Sequence, residues 1–290
     1  MSDKSEIQWT DATWNTVYGC TKVSPACAHC YIERAPPYRM QGLKFERGEI
    51  PVQLLPERLD VPFRWKRPRM IFVNSLADTF HEDVPDSFIL QLWRVMAATS
   101  RHTYQVLTKR PDRMRSLLSR EQVDGSRASL EIAALSPLAN VWLGTTVENQ
   151  RWADERIPLL LDTPAAVRFV SIEPLLGPID LTGNNFEDNS RCYLNEPLHG
   201  EGGLDWVIVG GESAGPVGRR LVTGPHDIVG HPRYLPSVQG HEWVASLRDQ
   251  CGASALPFFF KQWGGPTPKS GGRLLDGREW DEMPGRAVLA

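Results

Sequence analysis

Short runs of apolar residues recur along the chain and are separated by stretches with helical periodicity. The runs lie at residues 14–19, 69–74, 104–107, 141–144, 167–170, 206–210 and 257–260. Because they are apolar throughout rather than alternating, they are typical of strands covered on both faces, as in a parallel sheet. Helices are predicted at 86–98, 112–118, 150–161 and 241–251. This alternation predicts βα units and an α/β fold.

Polar residues follow nearly every apolar run at the point where it ends. In a β/α barrel the carboxyl ends of all strands meet on one face, whereas an open doubly wound sheet gathers only some of them. We therefore predict one domain over 1–290, a partial or complete parallel (β/α) barrel of the TIM type. Two segments rich in Gly, Pro, Asn and His, approximately 184–203 and 223–240, are predicted to be loop insertions in this domain and candidate lids.

Composition narrows the class of protein. The 290 residues include 32 basic and 35 acidic side chains, and a net charge of −3 gives no global attraction to nucleic acid. No apolar run is long enough to span a membrane, and residues 1–6 lack an apolar signal core, so we expect a cytoplasmic protein without membrane contact. Five cysteines, an odd number with three close together, argue against a disulfide framework.

The three close cysteines are Cys20, Cys27 and Cys30, with the spacing C-x6-C-x2-C directly after the first predicted strand. Three thiolates can hold a [4Fe–4S] cluster and leave one iron open for another ligand. A structural zinc site needs four ligands, and the sequence has no second C-x2-C motif. His29, His81 or a distant cysteine could still complete a zinc site, and unligated thiols are the third reading.

A three-cysteine loop after the first strand of a barrel resembles the radical S-adenosylmethionine (SAM) superfamily. The chain is more closely similar to a phage-associated group, the three-Cys-motif proteins. The matching segments cover nearly the whole chain: 7–15, 19–25, 30–31, 72–75, 107–110, 142–148, 169–175, 206–213 and 260–264. The resemblance implies an enzyme that uses a [4Fe–4S] cluster to cleave SAM and generate a 5′-deoxyadenosyl radical, with Cys20, Cys27 and Cys30 as the cluster ligands.

The sequence departs from the commoner superfamily pattern in two places. The usual spacing is C-x3-C-x2-C with an aromatic residue before the last cysteine, where this chain has His29. The usual Gly-Gly-Glu element follows the second strand, where this chain has Asn74, Ser75 and Asp78. Its own Gly-Gly-Glu, residues 210–212, comes four strands later.

The resemblance also implies roles for the residues at the strand ends. Candidates for cofactor binding are Asn74, Ser75 and Asp78 for the SAM amine, Lys109 or Arg110 for its carboxylate, Thr145, Thr146 and Glu148 for the ribose, then Ser171 and Glu173, with Gly211 and Glu212 lining the pocket. Lys261 and Gln262 are the candidates for catalytic contact with substrate. Any of these side chains could instead satisfy buried loop backbone.

The resemblance implies nucleic-acid modification or repair as a reaction class and a separate partner protein encoded nearby, with no particular substrate. Two alternatives come from the residues themselves. Residues 211–215, Gly-Glu-Ser-Ala-Gly, match the G-x-S-x-G motif of serine hydrolases with Ser213 as nucleophile and His226, His231 and His241 downstream. A zinc- or cluster-bearing nucleic-acid-binding protein without catalysis is the other, with basic residues around Trp65 as its contact.

Overall fold

The computed structural model describes residues 4–120, 125–183, 192–194, 202–213, 215–228 and 231–285. The predicted insertion at 184–203 therefore lies mostly outside the described residues. The chain groups into two compact units. Unit 1 is Met1–Thr145 with Asp162–Arg168, and unit 2 is Thr146–Leu161 with Phe169–Ala290.

The first half of the chain alternates strands and helices after an initial hairpin. Its elements are β1 (Ala12–Trp14), β2 (Val17–Thr21), α1 (Pro36–Gln41), β3 (Glu49–Leu54), α2 (Val61–Arg64), β4 (Met70–Val73), α3 (Asp86–Ala98), β5 (Thr103–Thr108), α4 (Pro111–Leu118), α5 (Arg127–Leu135) and β6 (Val141–Thr146). Helix α3 buries Ile89, Leu92, Trp93 and Met96, which lie on one face at helical spacing. The predicted helix at 86–98 is confirmed.

The second half continues the alternation. Its elements are α6 (Gln150–Leu161), β7 (Val167–Ile172), β8 (Trp206–Gly210), β9 (Val222–Ile228), β10 (His231–Pro236), α7 (Val238–Ala253) and β11 (Phe258–Gln262). Helix α7 begins earlier than predicted because the Ser237 side chain caps it by accepting a hydrogen bond from the Gly240 N–H. None of the described helices is long and apolar enough to cross a lipid bilayer.

Seven strands form one sheet with the order β1-β4-β5-β6-β7-β8-β11. Strands β1, β4, β5 and β6 pair in parallel, and so do β7, β8 and β11. The apolar residues of β6 and β8 are buried along their whole length, as expected for strands covered on both faces. The α/β class and the partial parallel (β/α) barrel are confirmed.

The first predicted strand, 14–19, is divided between two sheets. Strand β1 ends at Trp14 and belongs to the large sheet, whereas β2 pairs antiparallel with β3 in a separate two-stranded sheet. Asn74 turns the chain between them, because its Oδ1 accepts hydrogen bonds from the Thr16 N–H (2.8 Å) and the Val17 N–H (3.1 Å). A continuous apolar run therefore contains a change of direction.

The second predicted insertion, 223–240, is not an irregular loop. Strands β9 and β10 form an antiparallel hairpin over most of it, and α7 begins at Val238. The interpretation as a loop was wrong because Gly224, Pro225 and Pro232 are turn-type residues, and here they lie within the strands. In β9 most side chains are exposed, so no apolar alternation marks it.

Candidate functional site

The cysteine loop connects β2 to the helical turns that follow it. Cys20 lies in β2, Cys27 ends the 3-10 turn Pro25–Cys27, and Cys30 directly precedes the 3-10 turn Tyr31–Arg34. All three thiols are free of disulfides. Cys27 acts electrostatically on both Cys20 and Cys30.

Gly19 fixes the approach of the chain to Cys20. Its φ of +91° belongs to the left-handed region, and a Cβ built on it would lie 2.1 Å from the Pro51 carbonyl oxygen in β3. The Gly19 N–H donates to Tyr38 Oη (2.6 Å), and that hydroxyl donates to the Leu76 carbonyl (2.5 Å). Only glycine fits at this bulge, so Cys20 is held in register by the β2–β3 pairing.

Burial determines the protonation of the thiols. Burial, with the negative charge of Asp78, raises the pKa of Cys20 to about 12, although Arg110 acts in the opposite direction. Burial also raises the pKa of Cys30, against a hydrogen bond from the Ile32 backbone and the charges of Lys109 and Lys22. A bound metal supplies the positive charge that deprotonates such thiols.

The donor set can be compared with the two kinds of metal centre. Among the residues that the structure describes, no three His, Cys, Asp or Glu side chains converge so as to hold a metal ion. A zinc site needs its ligands around one point. The three thiolates of a cubane each bind a different iron, and soft sulfur donors close together in sequence are the ligand type that such a cluster takes.

Two of the residues assigned to the SAM amine are engaged by the protein. Asn74 uses Oδ1 on residues 16–17 and donates through Nδ2 to Thr79 Oγ1 (2.9 Å). Its φ of +52° is one that asparagine tolerates better than most residues. Ser75 is half-buried, and its hydroxyl donates to Asn15 Oδ1 (3.2 Å). Asn74 therefore shapes the turn after β4.

Asp78 is buried and accepts four hydrogen bonds. Its Oδ1 accepts from Thr108 Oγ1 (2.7 Å) and the Phe80 N–H (3.0 Å), and its Oδ2 accepts from the Lys109 N–H (2.9 Å) and Arg110 Nη1 (3.3 Å). The carboxylate joins the turn after β4 to the end of β5. Its hydrogen-bonding capacity is largely used within the protein.

Arg110 lies at the centre of the polar residues around Cys20. Its Nε donates to Glu82 Oε2 (2.8 Å) and its Nη2 to the Thr21 carbonyl (3.3 Å), while Nη1 lies 3.9 Å from the Cys20 sulfur. Burial opposes the charge of Arg110, but the negative charges of Asp78, Cys20 and Glu82 outweigh it and raise the pKa of the guanidinium. The Arg110 guanidinium is therefore engaged by partners within the protein.

His81 is one of the two histidines considered above as a fourth metal ligand. Its Nδ1 accepts from the Asp83 N–H (3.1 Å), which leaves the proton on Nε2 to donate to Thr21 Oγ1 (2.8 Å). Burial, together with the charge of Arg110, lowers the pKa of His81. Both ring nitrogens are thus hydrogen-bonded within the protein, and these bonds favour the neutral imidazole.

Thr145 and Thr146 end strand β6. In unit 1 the Thr145 hydroxyl donates to the Thr108 carbonyl (3.0 Å). In unit 2 Arg156 Nη1 donates to the Thr146 carbonyl (2.7 Å) and lies 3.3 Å from Glu148 Oε2. Glu148 is fully buried, and Arg156 provides the positive charge beside its carboxylate.

Unit 2 holds a second charged pair at the ends of β7 and β11. Lys261 Nζ donates to Glu173 Oε1 (2.5 Å), and both side chains are about one-fifth exposed. A Cβ at Gly210 would lie 3.3 Å from the Glu173 side chain, so Gly210 makes room for it. Ser171, in β7, accepts through its carbonyl from the Val147 N–H (3.1 Å). The predicted sites at positions 173 and 261 are thus brought together.

The Gly-Gly-Glu segment packs tightly in unit 2. A Cβ at Gly211 would lie 2.0 Å from the Trp263 carbonyl oxygen. Glu212 is buried and accepts from Arg219 through both oxygens, at 2.8 Å from Nη2 and 2.9 Å from Nε. Gln262 Nε2 donates to Ser213 Oγ (2.9 Å). Arg219, which fixes Glu212, was not identified from the sequence because it lies seven residues from its partner outside any periodic element.

The hydrolase alternative meets a structural difficulty. A nucleophile elbow needs an α-helix directly after the serine. The described residues after Ser213 form only the 3-10 turn Val217–Arg219 before strand β9. Ala214, within the motif, lies outside the described residues. Among the described residues, Ser213 is therefore not followed by the helix that the motif requires. His226 lies on the exposed β9, where its Nε2 contacts Thr223 Oγ1 (3.0 Å).

The aromatic residues near the site have structural roles. Trp9 and Trp14 are buried, and Trp14 Nε1 donates to the Arg58 carbonyl (2.8 Å). Tyr31 is half-exposed, and its hydroxyl donates to the Ser75 carbonyl next to the cysteine loop. Trp65 is buried, and the Arg69 guanidinium lies over its ring.

Comparison with known proteins gives one sequence family. A family described as "Protein of unknown function (DUF5131)" matches residues 4–224 and 236–284. The chain belongs to this family. The DUF5131 match covers every residue proposed above for the metal, the cofactor or substrate contact, and no curated protein matches the chain.

One solved structure is similar to this DUF5131 chain: "Spore photoproduct lyase complexed with dinucleoside spore photoproduct". The sequences are 9% identical, with a TM-score of 0.48 over 86% of this chain and 75% of the other. No conclusion about function follows from a likeness of this size.

Proposed function

We propose that this chain is a radical SAM enzyme whose Cys20, Cys27 and Cys30 hold a [4Fe–4S] cluster. The observation that carries the proposal is the cysteine loop itself: three disulfide-free thiols between residues 20 and 30, with a buried guanidinium 3.9 Å from one of them. When bound, the cluster and SAM supply one-electron reductive cleavage of a carbon–sulfur bond.

The chain's own residues contribute position and charge. The Gly19 bulge and Tyr38 hold Cys20 in the β2–β3 pair. The two 3-10 turns place Cys27 and Cys30 on the same loop. Lys109 and Lys22 act electrostatically on Cys30, and Arg110 acts on Cys20, in the direction that favours the thiolates. These positive charges offset part of the cost of burying an anionic sulfur.

The remaining strand-end residues suit the polar groups of a nucleoside-like cofactor. Ser75 and Lys109 in unit 1 are half-buried, and we assign them to the amine and the carboxylate of SAM. Glu173 and Lys261 in unit 2 are partly exposed, and we assign Lys261 to substrate contact. A nucleic-acid substrate and a separate partner protein belong to the same proposal.

The test is anaerobic reconstitution with iron and sulfide, followed by a search for 5′-deoxyadenosine after addition of SAM and a strong reductant. We expect a brown protein that releases 5′-deoxyadenosine. Substitution of Cys20, Cys27 or Cys30 by Ser should abolish both the colour and the release, because each variant removes one ligand.

The chain provides its own control. Cys192 is a half-buried thiol that donates to the Leu194 carbonyl (3.1 Å), away from the cysteine loop in sequence. Cys192→Ser should retain the colour and the release. Full iron loading with no 5′-deoxyadenosine, or equal loss of iron in Cys192→Ser, would contradict the proposal.

A further inference from the structure

Arg110 has a feature that the cofactor roles do not use. Its guanidinium contacts the Cys20 sulfur while being held by two carboxylates and one carbonyl. A side chain that merely neutralised Asp78 would not need to approach the sulfur.

The guanidinium has little freedom to move. Glu82 holds Nε, Asp78 holds Nη1 and the Thr21 carbonyl holds Nη2, from two segments of unit 1: the connection after β4 and the end of β2. Arg110 is 9% exposed and Asp78 is 8% exposed at their side chains. Arginine presents its five N–H donors in a fixed planar fork, so these bonds determine where the remaining Nη1 hydrogen is directed.

That hydrogen has a sulfur acceptor. Nη1 carries two N–H groups, and its neighbours are Asp78 Oδ2 at 3.3 Å and the Cys20 sulfur at 3.9 Å. One N–H can serve the carboxylate and the other the sulfur. Arg110 is thus both a hydrogen-bond donor to Cys20 and a permanent positive charge beside it.

We infer that Arg110 is a positioning residue that sets the reduction potential of the cluster through Cys20. Adding an electron to a cluster adds negative charge, and a hydrogen bond and a cation at a ligand sulfur stabilise that charge. Arg110 therefore favours the reduced form. The inference rests on the proposed function, since it concerns the same three-cysteine group.

The experiment measures the midpoint potential of the reconstituted full-length protein by anaerobic spectroelectrochemical titration, with iron content determined in parallel. Arg110→Met removes the charge and the donor together. We expect about a tenfold lower ratio of reduced to oxidised cluster at a fixed potential, about 59 mV for a one-electron couple. Arg110→Lys keeps the charge but loses the fork, so a smaller shift in the same direction is expected.

Arg113 provides matched controls in the same region. It lies on α4, and its guanidinium donates to the His81 carbonyl, the Val84 carbonyl (2.7 Å) and Asp86 Oδ1 (2.6 Å). Arg113→Met and Arg113→Lys make the same chemical changes without touching the donor to Cys20. Both should leave the potential unchanged.

The outcomes separate this inference from the proposed function. Arg110 variants that load iron fully and titrate at the wild-type potential overturn the role of Arg110 alone, as does an equal shift in the Arg113 variants. A wild-type chain that takes up no iron–sulfur cluster overturns both. If Arg110→Met does not fold, Arg110→Lys decides, because it keeps the buried charge beside Asp78.

Discussion

The two units treat charge at their strand ends differently. In unit 2 the pairs Glu148–Arg156 and Glu212–Arg219 join a buried carboxylate to an arginine, and their contacts include carbonyl oxygens and an aromatic ring. In unit 1 the arginine that neutralises Asp78 also lies against a cysteine sulfur.

The unit 2 ion pairs hold the local backbone in place, whereas the unit 1 ion pair also lies beside a candidate metal ligand. A buried ion pair is expensive to desolvate, and removing one member leaves the other uncompensated. Such pairs therefore stabilise a loop conformation wherever they occur. Of these three ion pairs, Asp78–Arg110 is the one that contacts a candidate metal ligand. Substitutions that break an ion pair should therefore lower stability in both units but lower iron uptake in unit 1 alone.

The largest effect is expected for Asp78→Asn. The variant leaves the buried Arg110 with only the exposed carboxylate of Glu82 and places an amide N–H where Asp78 accepts four hydrogen bonds. We expect a loss of about 3 kcal/mol in the free energy of unfolding and a lower iron content after reconstitution. Urea unfolding and iron analysis measure the two quantities.

The matching change in unit 2 is Glu212→Gln. It breaks a bidentate pair whose arginine is 26% exposed, so solvent offsets part of the loss. We expect a loss of about 2 kcal/mol with unchanged iron content. If Glu212→Gln lowered iron loading as much as Asp78→Asn, the distinction between the units would be lost.

The smallest effect concerns pH and His81. Its folded-state pKa is lowered by burial, so the neutral ring contributes stability that is fully present above about pH 6.5, the ordinary pKa of histidine, and is lost as the pH falls through the folded value. In unit 2 the hydrogen bonds from His241 and Arg248 lower the pKa of Asp276, whose contribution is lost only below its ordinary 3.8. The free energy of unfolding should therefore fall less between about pH 6.5 and mildly acidic pH in His81→Asn than in the wild type. Urea unfolding above and below this pH measures the fall, and an equal fall in both proteins would contradict the prediction.

Most of the parallel sheet could be predicted from the sequence. Strands β4 to β8 and β11 are apolar runs of the predicted kind, because burial on both faces leaves a direct record in composition. Strand β3 and the β9–β10 hairpin could not be predicted. Their side chains are largely exposed, and hydrogen bonds between neighbouring strands rather than apolar burial define them.

The candidate site divides in the same way. The cysteine spacing identifies the loop, and the polar strand ends identify Asp78, Arg110, Glu173 and Lys261 as belonging to the ends of strands. The sequence does not reveal which of these side chains pair with other residues of the protein. That depends on pairings such as Arg110 with Glu82, or Arg219 with Glu212, between residues whose closeness is created by turns.

Gly19 has a consequence for engineering the cysteine spacing. A Cβ at Gly19 would lie 2.1 Å from the Pro51 carbonyl oxygen. The backbone before Cys20 therefore accepts neither a side chain nor a one-residue shift unless the pairing of β2 with β3 is broken. Residues 22–26, by contrast, lie beyond the end of β2. A shorter first gap would therefore have to be obtained by deletion within that stretch, with Cys20 left as the fixed anchor and the other two sulfurs moved towards it.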